Sequence, residues 1–293
     1  MSLLNPPARA ALTERPFRTA ARIAATYFLR LHPLTREVRL DFDEGRSIFI
    51  ADLRTSLGLG MYRYGYSDPE LDLVRHLLKP GDVFVDGGAN VGLYSLVAAA
   101  RVGQFGKVIS FEPAIDTRRR LVGNCSANAY PWIEIRPEAL GHEKGFAQFI
   151  SFDGNRSGVS SFAPESSSFG KKVEVVVTTL DLALEGLDLK SLRLIKLDLE
   201  GAELKALQGS LTVLKNSNTD IFIEIEPSHL QRQGSSAEEV FHFFDSLGFR
   251  PYQLQSSEKG RCRLAPPDLL SKTSPNYLMT RDPERLRKAG IEL

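Results

Sequence analysis

The stretch "RLIKLDLEGAELKALQGS", Arg193 to Ser210, decides how the rest of the chain is read. Leu194 to Leu199 is short and rich in Leu and Ile, and it reads as a buried strand. Ala202 to Leu211 places Leu204, Leu207 and Leu211 at helical spacing and reads as a helix. Asp198, Glu200, Gly201 and Glu203 fill the junction. Charge gathered at the end of a buried strand marks the carboxyl edge of a parallel sheet, where open α/β folds bind ligands.

The same strand-then-helix grammar runs from Gly81 onward. "DVFVD" precedes a helix from about Val91, and "KVISFE" precedes one from Ala114 to about Asn128. "WIEIRPEAL" is the third strand; "RLIKLD" and "DIFIEIE" are the fourth and fifth, each followed by a helix. The last helix, Ala237 to Leu247, ends at Gly248, and "RPYQL" and "NYLMT" read as closing strands. Such alternation implies βαβ units and a doubly wound, mostly parallel sheet. Upstream, "EVRLDFD" and "SIFIADL" alternate about Gly45 like a hairpin. Asp68 or Ser67 caps a helix with Pro69 at its first position. Between the third and fourth strands, "GFAQFIS" and "KKVEVVVTTL" flank "FDGNRSGVSSFAPESSSFG", a β-hairpin insertion whose loop is either flexible or a flap over the site. Residues 1–60 read as a helix and hairpin extension, and 61–293 as the main domain.

Composition excludes several classes. Apolar residues make up 42% and charged ones 25%, enough for a proper core, and the net charge of +1 offers no global field to recruit nucleic acid. Cys125 and Cys262 stand apart without CxxC spacing, which fits a reducing cytoplasm, and the histidines form no HxH or HxxxH group. No apolar run is long enough to span a bilayer. "ERPFRTAARIAATYFLRLHPLTR" is basic and amphipathic but broken by arginines, so it is no signal peptide. It is compatible with weak peripheral membrane contact, although a leading helix that packs on the domain or frays is the plainer account. Oligomeric state leaves no signature.

"VFVDGGANVGLYSL" is a strand, a glycine turn and a helix start. A dinucleotide fingerprint needs G-x-G-x-x-G, yet counting from Gly87 finds Ala89 at the second glycine, and counting from Gly88 finds Asn90. The pattern present is Asp86-x-Gly88-x-x-x-Gly92. An acid ending the strand suits a ligand with a cationic end and no phosphate, namely S-adenosylmethionine, with Gly88 admitting its close approach. About 20 residues on, Glu112 can accept ribose hydroxyls. Glu138 or the Ala139 backbone can meet the adenine edge. A cap role is the plain alternative for Asp86 and Glu112 singly; their register at consecutive strand ends favours the cofactor.

"DVFVDGGANVGLYSL", "FEPA", "EALG" and "IKLDLEGAELKALQGS" together resemble the FkbM-type S-adenosylmethionine-dependent methyltransferases, from about Pro80 to Phe249. The resemblance implies a Rossmann-like seven-strand methyltransferase sheet and, most often, O-methylation of a hydroxyl on a sugar, glycolipid or secondary metabolite. By position it points to Asp86, Gly88 and Glu112, with Asn90 and Gly92 in the loop, as cofactor contacts. Methyl transfer to an alcohol needs alignment and a proton acceptor. Asp198, Glu224 and His229 are the catalytic candidates. Asp198 and Glu224 serve as base and anchor, or with Glu200 hold a divalent cation; the first reading is carried forward, without a metal site. Glu200 also falls in the first helical turn, where acids favour the dipole. Acceptor recognition is expected from Glu200, from the serine-rich insertion with Ser160, and from the first 60 residues. A nicotinamide oxidoreductase and a non-catalytic cofactor-binding protein are the alternatives.

Overall fold

The computed structural model describes residues 16–31, 37–66, 68–151, 161–162, 171–256, 262–267 and 274–293. Ser67, Ser160 and most of the serine-rich insertion lie outside the described residues. In chain order, α1 (Pro16–Leu31) precedes a hairpin of β1 (Glu37–Phe42) and β2 (Ser47–Asp52), then α2 (Ser56–Tyr64) and α3 (Pro69–Leu77). The alternating region runs β3 (Val83–Gly87), α4 (Leu93–Val102), β4 (Lys107–Phe111), α5 (Ile115–Ser126) and β5 (Ile133–Arg136). The insertion supplies β6 (Ala139–Leu140), β7 (Gly145–Ser151), β8 (Ser161–Phe162) and β9 (Lys171–Thr178). There follow α6 (Leu180–Ala183), β10 (Leu192–Leu197), α7 (Glu203–Gln208), α8 (Leu211–Asn216) and β11 (Asp220–Glu224). The chain closes with α9 (Pro227–Arg232), α10 (Ala237–Ser246), β12 (Arg250–Ser256), β13 (Cys262–Ala265), β14 (Asn276–Thr280) and α11 (Pro283–Lys288).

The central sheet has the order β13-β12-β14-β11-β10-β3-β4-β5. From β5 to β11 the strands run parallel; β14 and β13 run against them, and β12 between those two runs with them. Seven of these realise the expected doubly wound sheet, and β13 adds an eighth at the edge. Because β3 lies between β4 and β10, the winding reverses direction there, and that switch point opens a crevice at the carboxyl ends. Neighbouring residues on one strand feed opposite layers. Phe84, Leu194 and Phe222 pack with Leu71 and Val74 of α3 and Val97 of α4. Val85, Ile195 and Ile221 pack with Leu207, Val213 and Phe244. Both faces are covered, as near-continuous apolar strands require.

Several boundaries differ from the sequence reading, each for a local reason. The fourth strand stops at Leu197, so Asp198 and Glu200 lie in a turn and share no strand face. Glu200 takes a left-handed backbone there, φ 54°. The helix expected over Ala202 to Leu211 breaks into α7 and α8 about Gly209, whose Cα faces the Gly141 carbonyl with no room for a Cβ (2.1 Å). The third strand divides at Pro137, which has no N–H to give the ladder, and its second half pairs with β9 instead. Helices α2 and α11 were not anticipated, and α11 follows the helix read as last. Asp68 is the cap of α3, with Pro69 at its start.

The N-terminal hairpin joins the main domain through two asparagines. Asn128 accepts from Ile48 N–H (2.6 Å) and donates to Ile48 C=O (2.7 Å). Buried Asn124 accepts from Ile50 N–H (2.7 Å) and donates to Val91 C=O (2.7 Å), just ahead of α4. Removing the Asn124 amide leaves two buried backbone groups unpaired, at about 1–3 kcal/mol each. Asn124→Ala is therefore expected to lower stability by about 2–6 kcal/mol, read as a fall in the urea midpoint at unchanged slope.

Candidate active site

The site grows from a polar row across the switch point. Ser110, Asp86, Lys196 and Phe222 are register neighbours on β4, β3, β10 and β11, on the sheet face covered by α4. Asp86 and Lys196 are fully enclosed. Asp86 accepts from Ser95 Oγ of α4 (2.6 Å), which also meets Ser110 Oγ (2.8 Å). Lys196 Nζ lies 3.1 Å from Asp198 Oδ2, 3.9 Å from Asp86 Oδ1 and 4.8 Å from the Tyr94 ring centroid. Burial pulls the ammonium's pKa down, and the charges of Asp198 and Asp86 outweigh it, so Lys196 is held above its ordinary value.

The glycine loop lies at the end of β3. Gly88, Asn90 and Gly92 all have positive φ (75°, 49° and 93°), which is what folds the loop so tightly. A Cβ on Gly88 would stand 2.0 Å from the Asp198 carbonyl oxygen, so the loop and the end of β10 touch through bare backbone. The loop amides turn inward. Gly88 and Ala89 donate to Phe111 C=O (3.1 and 2.9 Å), and Asn90 N–H donates to Glu112 Oε2 (2.9 Å). Amides so occupied form no phosphate cradle, which agrees with the failed dinucleotide count. Glu112 also accepts from Ala114 N–H (2.8 Å), and burial against those two bonds pushes its carboxyl up to about 7. Each of its oxygens retains a lone pair for a sugar hydroxyl. Among the buried carboxylate oxygens that find no hydrogen-bond donor are Asp86 Oδ1 in the row, Glu138 Oε2 beyond β5 and Glu200 Oε2 in the turn after β10. Orphaned acceptors of that kind fit a cofactor bearing cationic and donor groups. Ala139 is buried in β6, paired with Val177.

On the other side of Asp198 a cavity of about 160 Å³ opens, lined by Glu70, Tyr94, Lys196, Asp198, Phe222, Glu224 and Asn276. Glu70, from the first turn of α3, accepts from Tyr94 Oη (2.9 Å) and Asn276 Nδ2 (2.6 Å). Burial, with Asp68 adding repulsion, raises Glu70 to about 7. Glu224 ends β11, and burial followed by the charges of Asp198, Glu200 and Glu203 raises it to about 8. His229 in α9 holds Nδ1 at 3.2 Å from Glu200 Oε2 and 3.6 Å from Glu224 Oε2. Burial first, then Arg232, lowers its pKa, so the imidazole is neutral near pH 7. Burial, then Asp198 and Glu203, raise Glu200 to about 7. The turn docks α9 through Gly201, where a Cβ would meet the His229 carbonyl oxygen at 2.3 Å. Glu203 is buried and accepts from Leu199 N–H (2.7 Å) and Gly201 N–H (3.2 Å), so it braces the turn. Glu226 caps α9 instead of joining the cluster. Among the described residues no group of three His, Cys, Asp or Glu is disposed to hold a metal ion.

Asp198, Glu200, Glu224 and His229 thus converge, as do Asp86, Gly88 and Glu112 across the shared Asp198 contact. Lys196, Glu70, Tyr94 and Asn276 escaped the sequence reading. A lysine inside the apolar run "RLIKL" was a usable signal, since an unpaired one is not tolerated there. Glu70 looks in sequence like any first-turn helix acid, and nothing near Asn276 marks it.

The model of the methyltransferase FkbM domain matches residues 86–251. The AMB antimetabolite synthetase AmbE of Pseudomonas aeruginosa is 25% identical over 219 residues, 62% of this chain, which spans only 10% of that protein's length. Methyltransferase FkbM from Methylobacillus flagellatus superposes with a TM-score of 0.43 at 13% identity, covering 76% of this chain and 52% of that one. An O-methyltransferase from Bacillus cereus in complex with SAH gives 0.41 at 12% identity over 89% of each chain.

Glu70, Glu112, Glu200, Glu203 and Glu224 share a pH signature. Unfolded, a glutamate ionises near 4.5, whereas here these five ionise at about 7 to about 8. Between those values the folded state holds more protons, so stability falls as pH rises. Thermal unfolding without ligand should show a midpoint that declines from about pH 5 to about pH 8. Glu224→Gln should flatten the upper end of that decline, and a midpoint rising across the window would contradict the assignment.

Proposed function

The chain belongs to the FkbM methyltransferase family, and on that premise we propose that it transfers a methyl group to a hydroxyl of a small molecule or glycan. Its cofactor is S-adenosyl-L-methionine, which supplies an activated methyl on a sulfonium whose departure leaves a neutral thioether. The observation that carries the reading is the contact of Gly88 with the Asp198 carbonyl, which sets the glycine loop beside the acid that ends β10. The loop of Gly88, Asn90 and Gly92 admits the cofactor, the Asp86 carboxylate favours its cationic end, and Glu112 accepts from its ribose. Glu138 and the Ala139 backbone border the adenine. A sugar, glycolipid or secondary metabolite presents its hydroxyl on the cavity side, with Glu200 and Ser160 as its proposed contacts.

Asp198 takes the hydroxyl proton as the new C–O bond forms. Lys196 occupies one of its oxygens and leaves the other for the acceptor. Glu224, protonated near neutral pH, donates a hydrogen bond that anchors the acceptor, and neutral His229 is the neighbouring proton acceptor. Positioning contributes up to roughly 7–11 kcal/mol, and a general base about 10²–10⁴ in rate. No helix among the described residues is long and apolar enough to cross a membrane, and the reaction is assigned to the cytoplasm, where Cys125 stays a thiol.

Calorimetric titration with S-adenosylhomocysteine and with NADH tests the cofactor assignment; binding of NADH alone would overturn it. Asp198→Asn should keep S-adenosylhomocysteine affinity while methyl transfer from labelled cofactor to hydroxyl acceptors, followed by mass spectrometry, drops by about 10²–10⁴. Unchanged transfer would remove Asp198 from the chemistry, and its absence in the native protein across acceptor panels would favour a non-catalytic binder.

A further inference from the structure

Helix α1 rests on the fold with its polar side inward. Thr19 and Thr26, two turns apart, are buried at 3% and 1% exposure. Arg63 of α2 donates to Thr26 Oγ1 from Nε (3.1 Å) and Nη2 (2.7 Å), and Arg22 stacks over the Tyr62 ring at 5.4 Å. The opposite side carries Phe17, Ala20, Ala21 and Ala24, all exposed, with Phe17 90% accessible. In sequence the same spacing runs on to Phe28 and Leu31. A surface helix of a water-facing domain has the reverse pattern, apolar side in and polar side out. An apolar stripe turned away from the core calls for something to cover it.

Charge names the cover. Residues 1–36 contain Arg9, Arg15, Arg18, Arg22, Arg30 and Arg36 against Glu14 alone. The whole chain is only +1, so the remainder is net acidic and the basic character is concentrated in the first 36 residues, three of the arginines lying in α1 itself. Exposed Arg18 sits beside the stripe. Basic flanks around an apolar stripe led by an aromatic side chain match the plane of an anionic bilayer, with the ring at the headgroup boundary and guanidinium groups at the phosphates.

We propose that α1 docks this protein on anionic membrane surfaces through the Phe17–Ala21–Ala24 stripe. The docking is peripheral, reversible and sensitive to salt, because screening weakens the arginine–phosphate attraction. It is independent of the methyl-transfer reading, since no α1 residue belongs to the site.

Co-sedimentation of the full chain with phosphatidylcholine vesicles, alone or mixed with equal phosphatidylglycerol, tests this. The expected result is sedimentation with the mixed vesicles at low salt and release at high salt. Phe17→Glu and Ala21→Asp should each cut partitioning by about tenfold or more, with circular dichroism and S-adenosylhomocysteine binding unchanged. Equal sedimentation with phosphatidylcholine alone, no sedimentation with mixed vesicles, or an unaffected Phe17→Glu variant overturns the proposal. So does a dimer that Phe17→Glu disperses without any vesicle binding, since the stripe would then belong to a second copy.

Discussion

The ammonium of Lys196, enclosed between the carboxylates of Asp86 and Asp198, is the interaction on which the rest of this structure depends. A cation inside a sheet is expensive to desolvate, and it persists only where opposite charges and hydrogen bonds meet it on fixed supports. Those supports are β3 and β10, the two strands flanking the switch point, and the pairing of Lys196 with Asp86 holds only in the observed register. A shift by one residue would turn the ammonium into the apolar layer of Val85 and Ile195. One buried ion cluster thus fixes strand alignment and brings charge to the crevice.

From that cluster the two halves of the site separate. Toward β4 lie the glycine loop and Glu112, tied together by amides that point back into the fold. Toward β11 and β14 lie Glu70, Glu224 and Asn276 around a small polar cavity. Asp198 faces both sides, and Gly88 and Gly201 matter because each lets backbone approach backbone where a side chain would intervene. Burial first, and then repulsion among neighbouring carboxylates, raises these glutamates, so the ligand-free protein keeps several of their protons near neutral pH.

Charge is partitioned, and the near-zero total conceals it. Acid is concentrated in the crevice and base in the first 36 residues. The same sequence therefore offers one surface to a cationic cofactor and another to anionic phosphate, a division that only element-by-element placement brings out.

The sequence by itself determined the strand–helix alternation, the glycine loop, the carboxylates at strand ends and the family, because each rests on local periodicity or on short spacings within one element. It also indicated the hairpin about Gly45 and the cap at Asp68, both decided by a few adjacent residues. Tertiary structure decided what depends on distant segments meeting. Glu70 and Asn276 share a hydrogen bond across 206 positions, and no local pattern encodes that pairing. Only packing revealed that "KLDLEG" leaves its strand at Leu197, that Glu203 at the start of α7 also braces the turn, and that α1 turns its threonines inward. Periodicity tells which residues share a face. Which face is buried is settled by the free energy of the neighbours that cover it.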